Sequence, residues 1–211
     1  MIYCLHKNQT AFMDIIHYNF SNDIVLKIFV SVDDIVNAIN KQLLIDSVPL
    51  PVCNNKRIFN YKVSHLPDRG KSSMGWFYGF KLHLITDPHG NLLTIHLSSG
   101  NTSDKDHKIV LSLVKDIEGI LVGDAGYQSK PLTRKLGKKS ITFVTGLRKG
   151  TKQLVTQAYD RLRRLRQRIE TAIGSIKYRQ GSVSSPPRSA NGYFWRYMAA
   201  CLVYTIMKAY S

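Results

Sequence analysis

Glutamate is nearly absent from this chain of 211 residues: only Glu118 and Glu170 occur, and all acids together number 14. An acidic surface is therefore excluded, and each carboxylate can be weighed singly. Cysteine is also scarce. Cys4, Cys53 and Cys201 are odd in number, far apart, and form no CxxC pair. Neither a disulfide scaffold nor a zinc knuckle is expected, and a reducing, cytoplasmic setting fits. The seven histidines show no HxxxH spacing. The uncharged stretch from Tyr197 to Met207 has 11 residues, whereas a membrane-spanning helix needs about 20. The opening MIYCLHKNQTAF lacks a basic segment leading into an apolar run, so no secretory leader is expected. What is abundant is positive charge. Thirty Lys and Arg give a net charge of +16 and a pI near 9.9, which points to a polyanionic partner.

The charge is unevenly distributed. Residues 1–45 hold three basic side chains (Lys7, Lys27, Lys41) and four acids (Asp14, Asp23, Asp33, Asp34), leaving 27 against 10 for the remainder. An atypical segment over 1–42 ahead of one domain over 43–211 is the expected organisation. In the first segment, IVLKIFV reads as a short strand and SVDDIVNAINKQLL as a helix capped by Ser31. QLLIDSVPL reads as a strand ending at Pro49 and Pro51. WFYGFKLHLIT and NLLTIHLSS flank Asp87-Pro88-His89-Gly90, the signature of a type I turn, and form a hairpin. DKDHKIVLSLVKDI reads as a capped helix with acids in its first turn. GILVGDAGY is a buried strand ending in a glycine-flanked Asp, KPLTRKLG a short helix and SITFVTGL a strand. Residues 152–180 make one long basic helix and 192–209 a mostly apolar one. The resulting class is α/β with mixed strand directions.

Three acids stand out within this order. Asp46 lies inside LLIDSVPL, where an unpaired carboxylate is costly to bury. Asp124 lies where an apolar strand meets Gly123 and Gly126. Glu170 is the sole acid among Arg161, Arg163, Arg164, Arg166, Arg168, Lys177 and Arg179. Arg163, Arg166, Glu170, Gly174 and Lys177 follow at steps of three and four beside an apolar stripe. Taken singly, each acid has a plain explanation as a turn Asp, a strand-end Asp, or the partner of Arg166 in a helical salt bridge. Taken together, they can converge on hard divalent cations, which neutralise clustered carboxylates and take oxygen ligands. A basic surround for such a cluster suits a phosphodiester.

The order Asp46, Asp124, Glu170, with Arg166-QRI-Glu170-TAIGSI-Lys177, resembles the DDE transposases of bacterial insertion sequences. IDSVPLPVCNNKR, GWFYGFKLHL, VGDAGYQSK and RQRIETAIGSIKYR are similar to that family's blocks, and the resemblance covers about 43–209. It implies a ribonuclease-H-like mixed five-stranded sheet with flanking helices. It further implies two Mg²⁺ or Mn²⁺ ions on Asp46, Asp124 and Glu170, and strand nicking followed by strand transfer. The partners implied are double-stranded DNA, both transposon ends and target, and further copies of the chain assembled on it, in the bacterial nucleoid. Lys81, Arg148, Lys149, Arg163, Arg166 and Lys177 are the candidate DNA contacts. Where the related motif carries a Tyr, this chain has Arg163, with Tyr159 a turn earlier. Only 45 residues separate Asp124 from Glu170, leaving no room for the insertion domain of some relatives. A nuclease or resolvase on the same fold, and a non-catalytic DNA-binding remnant of a transposase, are the rival readings.

Weaker signals have cheaper explanations. His65-LPDR-Gly70-Lys71-Ser72 nearly spells a phosphate-binding loop but has His at the first Gly, and a strand follows it. Asp104, Asp106 and His107 could group around a metal, though acids at a helix start are explained by the helix dipole. Lys81 and His83 alternate with Phe80, Leu82 and Leu84, which suggests an open hairpin face. Tyr127 raises a covalent phosphotyrosine mechanism, but no Arg–His cluster accompanies it.

Overall fold

The computed structural model describes residues 24–27, 42–60, 67–146, 157–179, 187 and 189–210. Its strands are β1 (Ile24–Lys27), β2 (Gln42–Cys53), β3 (Asp68–Ser72), β4 (Gly75–Thr86), β5 (Leu92–Ser99), β6 (Gly119–Gly123) and β7 (Ile141–Thr145). The helices are α1 (His107–Leu113), α2 (Lys130–Gly137), α3 (Gln157–Gly174) and α4 (Ala190–Ala209). The strands join in one sheet of order β1-β5-β4-β2-β6-β7, with β3 on β4. Within it, β5, β4 and β2 run antiparallel, whereas β2, β6 and β7 run parallel. Numbered along the chain from β2, those five strands lie in the order 3-2-1-4-5, the ribonuclease-H-like arrangement. Two further strands extend the expected five: β1 pairs the outer edge of β5, and β3 pairs the first residues of β4.

Strand β2 is central, and its apolar run reflects cover on both faces. Leu44, Val48 and Leu50 face Ile169, Ala172 and Ile176 of α3 and its extension, together with Tyr193 and Tyr197 of α4. Leu43 and Ile45 face the other way, toward Ile109, Val110 and Leu113 of α1 and Leu132 and Leu136 of α2. Each such fully buried side chain contributes about 1.5–3 kcal/mol. Helix α4 docks through Phe80, whose ring lies 6.0 Å from Tyr193 and 6.1 Å from Tyr197. Tyr193 donates to the Val52 carbonyl at 3.1 Å and Tyr204 to the Gly90 carbonyl at 2.6 Å. The second bond ties the helix to the β4–β5 turn, closed as expected by the Gly90 amide on the Asp87 carbonyl at 3.1 Å.

Three expectations need correction. Strand β2 does not stop at the prolines but runs through both to Cys53. Pro49 and Pro51 share parity, so their nitrogens face one edge, and β6 pairs only Gln42–Leu44 on that side. A missing N–H costs nothing at an unpaired edge. The first turn of α1 holds no acid. Asp106 is the N-cap, accepting from the Lys108 amide at 2.8 Å, and Asp104 precedes it. The long basic helix ends as a π-turn over Ser175–Arg179, so the stripe of threes and fours stops at Gly174. Residues 147–156, including Arg148 and Lys149, lie outside the described residues, as does the helix expected over 31–44 up to Lys41.

Candidate active site

Asp46 sits opposite Leu84 across the β2–β4 ladder, in step with Leu44 and Val48, and so on the face that packs against α3. The Ser47 amide donates to its Oδ1 at 2.8 Å. Strand β6 runs parallel beside β2 with Gln42 against Ile120 and Leu44 against Val122. Two more residues in that register bring Asp124 alongside Asp46, just past the end of β6, with neighbouring strands about 4.8 Å apart. Asp124 caps a 3₁₀ turn over Ala125–Tyr127, its Oδ1 accepting from the Gly126 amide at 2.8 Å. A Cβ on Gly126 would stand 2.9 Å from that same oxygen, so a side chain there would push the carboxylate aside. Glu170 is carried by α3 next to the fully buried Ile169, and Arg166 Nη2 lies 3.4 Å from its Oε1. The helical ion pair expected from spacing is therefore present.

These groups meet electrostatically at Asp46. Burial pushes its carboxyl up from 3.8 to about 6; the Ser47 amide and Arg166 oppose the rise, and the charges of Asp124 and Glu170 add to it. A half-buried carboxyl pressed by two further negative charges is what a hard cation relieves. All three donors are carboxylate oxygens, the type that takes Mg²⁺ or Mn²⁺. Among the described residues, no three His, Cys, Asp or Glu side chains converge closely enough to enclose a metal ion. The donor chemistry fits the ion, and closure around it would require side-chain movement.

The chain also matches the transposase DDE domain family over residues 36–181, more than half its length. The chain belongs to the DDE transposase domain family. No curated protein sequence matches it. Among solved structures, similarity extends to a piggyBac transposase synaptic complex with hairpin DNA, at 11% identity and TM-score 0.48, covering 81% of this chain and 46% of that one. A simian T-cell lymphotropic virus intasome bound to a PP2A regulatory subunit is similar at 12% identity and TM-score 0.35, covering 77% and 48%. The large terminase nuclease of thermophilic phage G20c with bound magnesium follows at 14% identity and TM-score 0.24, covering 75% and 92%. The chain thus spans about half the length of the first two.

The DDE domain departs from the sequence-based site at Lys81. Its side chain lies on no open hairpin face: it is 7% exposed, on the sheet face opposite Asp46. Its Nζ donates to the Thr102 carbonyl at 2.7 Å and pairs with Asp104 Oδ1 at 3.0 Å. Lys81 is thus buried and paired with Asp104 rather than presented on an open face. Neighbouring His83, also buried, holds Ser98 Oγ at 2.9 Å, and burial pushes its pKa down to about 3, so the ring is neutral. Arg166 is part-buried at the site, Lys177 sits on the π-turn with its Nζ 5.3 Å from the Tyr178 ring, and Arg163 lies on α3.

Ser47 was missed by sequence reasoning, and the contacts of Asp104 and Tyr127 with their surroundings were not foreseen. The Ser47 hydroxyl donates to Asp104 Oδ1 at 2.6 Å, so the residue after Asp46 is pinned from behind the sheet. Tyr127 is 1% exposed. Burial raises its hydroxyl well above the usual range, and Asp46, Asp104 and Asp124 raise it further. A buried, firmly protonated phenol supports the structural reading of Tyr127 over a nucleophilic one. Parity along β2 could have flagged Ser47; nothing local marks Asp104 as its partner. Among the described residues, no helix is long and apolar enough to cross a membrane.

Proposed function

We propose that this chain is the catalytic domain of an insertion-sequence transposase that nicks transposon ends and joins them to target DNA. The carrying observation is the setting of Asp46: central strand, Asp124 in register beside it, Glu170 and Arg166 acting on its charge from α3. Asp46, Asp124 and Glu170 would hold the Mg²⁺ or Mn²⁺ ions. When bound, such ions polarise the phosphodiester and lower the pKa of an attacking water or 3′-hydroxyl.

The protein's own groups prepare that chemistry. The Ser47 amide fixes Asp46 Oδ1 and the Gly126 amide fixes Asp124 Oδ1, leaving the second oxygen of each for a cation. Arg166 offers its guanidinium to a phosphate when it leaves Glu170, a change favoured by the long 3.4 Å pair. Without a metal the Asp46 carboxyl is pushed up to about 6, so below that pH a proton competes with the cation for it. Double-stranded DNA, as ends and target, is the partner, with Arg148, Lys149, Arg163, Arg166 and Lys177 as the phosphate contacts that position the duplex. Assembly of several copies on DNA and a place in the bacterial nucleoid belong to the same reading, as do the boundaries 1–42 and 43–211.

The test is cleavage and joining of an oligonucleotide carrying the element's own end, with Mg²⁺ and with EDTA. Asp46→Asn, Asp124→Asn and Glu170→Gln should each abolish both steps. Full cleavage by any one variant removes that residue from the site, metal-independent cleavage by the parent overturns the mechanism, and cutting without joining assigns a nuclease.

A further inference from the structure

The β3–β4 hairpin has two unlike faces. Its inner face packs closely: Phe77 is buried, and a Cβ on Gly70 would stand 2.0 Å from the Gly100 carbonyl oxygen. Asp68 shares parity with Gly70, and Asn101 Nδ2 donates to its Oδ2 at 2.7 Å. The outer face carries Arg69 and Lys71, which the ladder sets opposite Tyr78 and Trp76. Trp76 is 53% exposed. The Arg69 guanidinium lies 5.0 Å and the Lys71 ammonium 5.7 Å from its ring centroid. The acid of the hairpin thus sits on the packed side, and the open side presents two cations around an exposed indole. Lys56 and Arg57, both exposed, stand on the adjoining 3₁₀ turn, which Asn55 ties to the Trp76 carbonyl at 2.7 Å.

An exposed aromatic among cations, with no anion on its face among the described residues, is complementary to a nucleic-acid strand: the ring stacks on a base and the cations take phosphates. A base within duplex is already stacked on both sides, so the partner must be unpaired or terminal. Trp76 has the same parity on β4 as Leu84, the residue opposite Asp46. It therefore lies on the same sheet face, eight residues or about 26 Å along the strand. That separation makes it a contact distinct from the carboxylates.

We propose that the outer face of the β3–β4 hairpin binds an unpaired DNA segment, with Trp76 stacking on a base and Arg69 and Lys71 holding the neighbouring phosphates. The proposal rests on the transposase reading for the nature of its ligand.

The chain contains two tryptophans, so Trp195→Phe in the full chain leaves Trp76 as the sole indole emitter. A single-stranded oligonucleotide should quench that emission, and a blunt duplex of equal length should quench it much less. Trp76→Ala should weaken single-strand binding, followed by anisotropy of labelled DNA, by about fivefold or more. Arg69→Ala with Lys71→Ala should flatten the salt slope by about 1.4. All these side chains are exposed, and melting curves check that the variants stay folded. Unchanged emission at saturating single strand, or undiminished affinity in both variants, would overturn the proposal. Emission that shifts with protein concentration in the absence of DNA would assign the face to a second copy instead. The two readings fail separately. If Asp46→Asn abolishes cleavage but Trp76 ignores DNA, only the hairpin proposal falls. If Asp46→Asn still cleaves while Trp76 is quenched, only the carboxylate site falls.

Discussion

Asp46→Asn should make the metal-free protein more stable at neutral pH while abolishing cleavage. The reason is the cost of holding that carboxylate charged. Its pKa rises from 3.8 to about 6 on folding, mainly through burial. Between those values the folded chain keeps a proton that the unfolded chain has released. Stability therefore falls as pH rises through this window. At about 1.36 kcal/mol per pH unit, the loss is complete above about pH 6 and amounts to about 3 kcal/mol. Asn keeps an oxygen to accept from the Ser47 amide but never ionises, so it escapes the loss. Urea or thermal unfolding in EDTA, parent against variant from pH 4 to 8, checks this. The two should converge near pH 4 and diverge above pH 6, the variant melting higher by several degrees, at about 2–4 °C per kcal/mol for a chain of this size. Adding Mg²⁺ should raise the parent and close the gap. A variant no more stable than the parent at pH 7 without metal, or a pH-independent difference, would refute the reasoning.

Glu170→Gln should abolish cleavage yet change stability by only some tenths of a kcal/mol, because the exposed pair with Arg166 contributes little; kinetics beside a melting curve separates the two effects. Asp124→Glu keeps the charge but displaces the carboxylate from the Gly126 amide, so cleavage should collapse while DNA binding in EDTA persists. Lys81→Met should destabilise the fold by about 1–3 kcal/mol through loss of the bond to the Thr102 carbonyl and of the pair with Asp104, with DNA affinity of the folded protein unchanged; a selective loss of affinity would make Lys81 a contact. Non-specific duplex binding should show a log K against log salt slope near −5 if about six phosphates are neutralised, flattened by charge reversal at Arg163 and Arg164.

Elements whose cause is local were legible in the sequence. The turn over Asp87–Gly90, the glycine-flanked end of β6 and the apolar stripe of α3 each carry their explanation in adjacent residues. The expected strand in IVLKIFV is present as Ile24–Lys27, with Leu26 against Ile95 on the edge of β5. What depended on tertiary cover was not legible. Proline ends a strand only where a neighbour wants its N–H, and which edge of β2 lacks a neighbour is decided by where β6 stops. Alternation likewise shows that Lys81 and His83 share a face without saying what covers it. Here that face holds a buried lysine paired with Asp104 and a neutral imidazole. Asp104, read as a helix-start acid, proves to be the partner that makes the burial of Lys81 tolerable.

The candidate site was legible only as a set, and the structure explains why. Glu170 does make the salt bridge that its spacing with Arg166 suggests, so the plain reading of that residue is correct as far as it goes. A 3.4 Å pair with an exposed carboxylate costs little to break, and so leaves both partners available for other work. The discriminating feature lies elsewhere, at Asp46, where burial, Asp124 and Glu170 all disfavour the charge that a cation ligand must carry. A protein selecting for stability alone would place an apolar residue at that point of its central strand. Retaining an acid there, in register with a second acid and under the charge of a third, is a cost that a divalent cation would offset. The scarcity of carboxylates in the rest of the chain makes this costly trio visible.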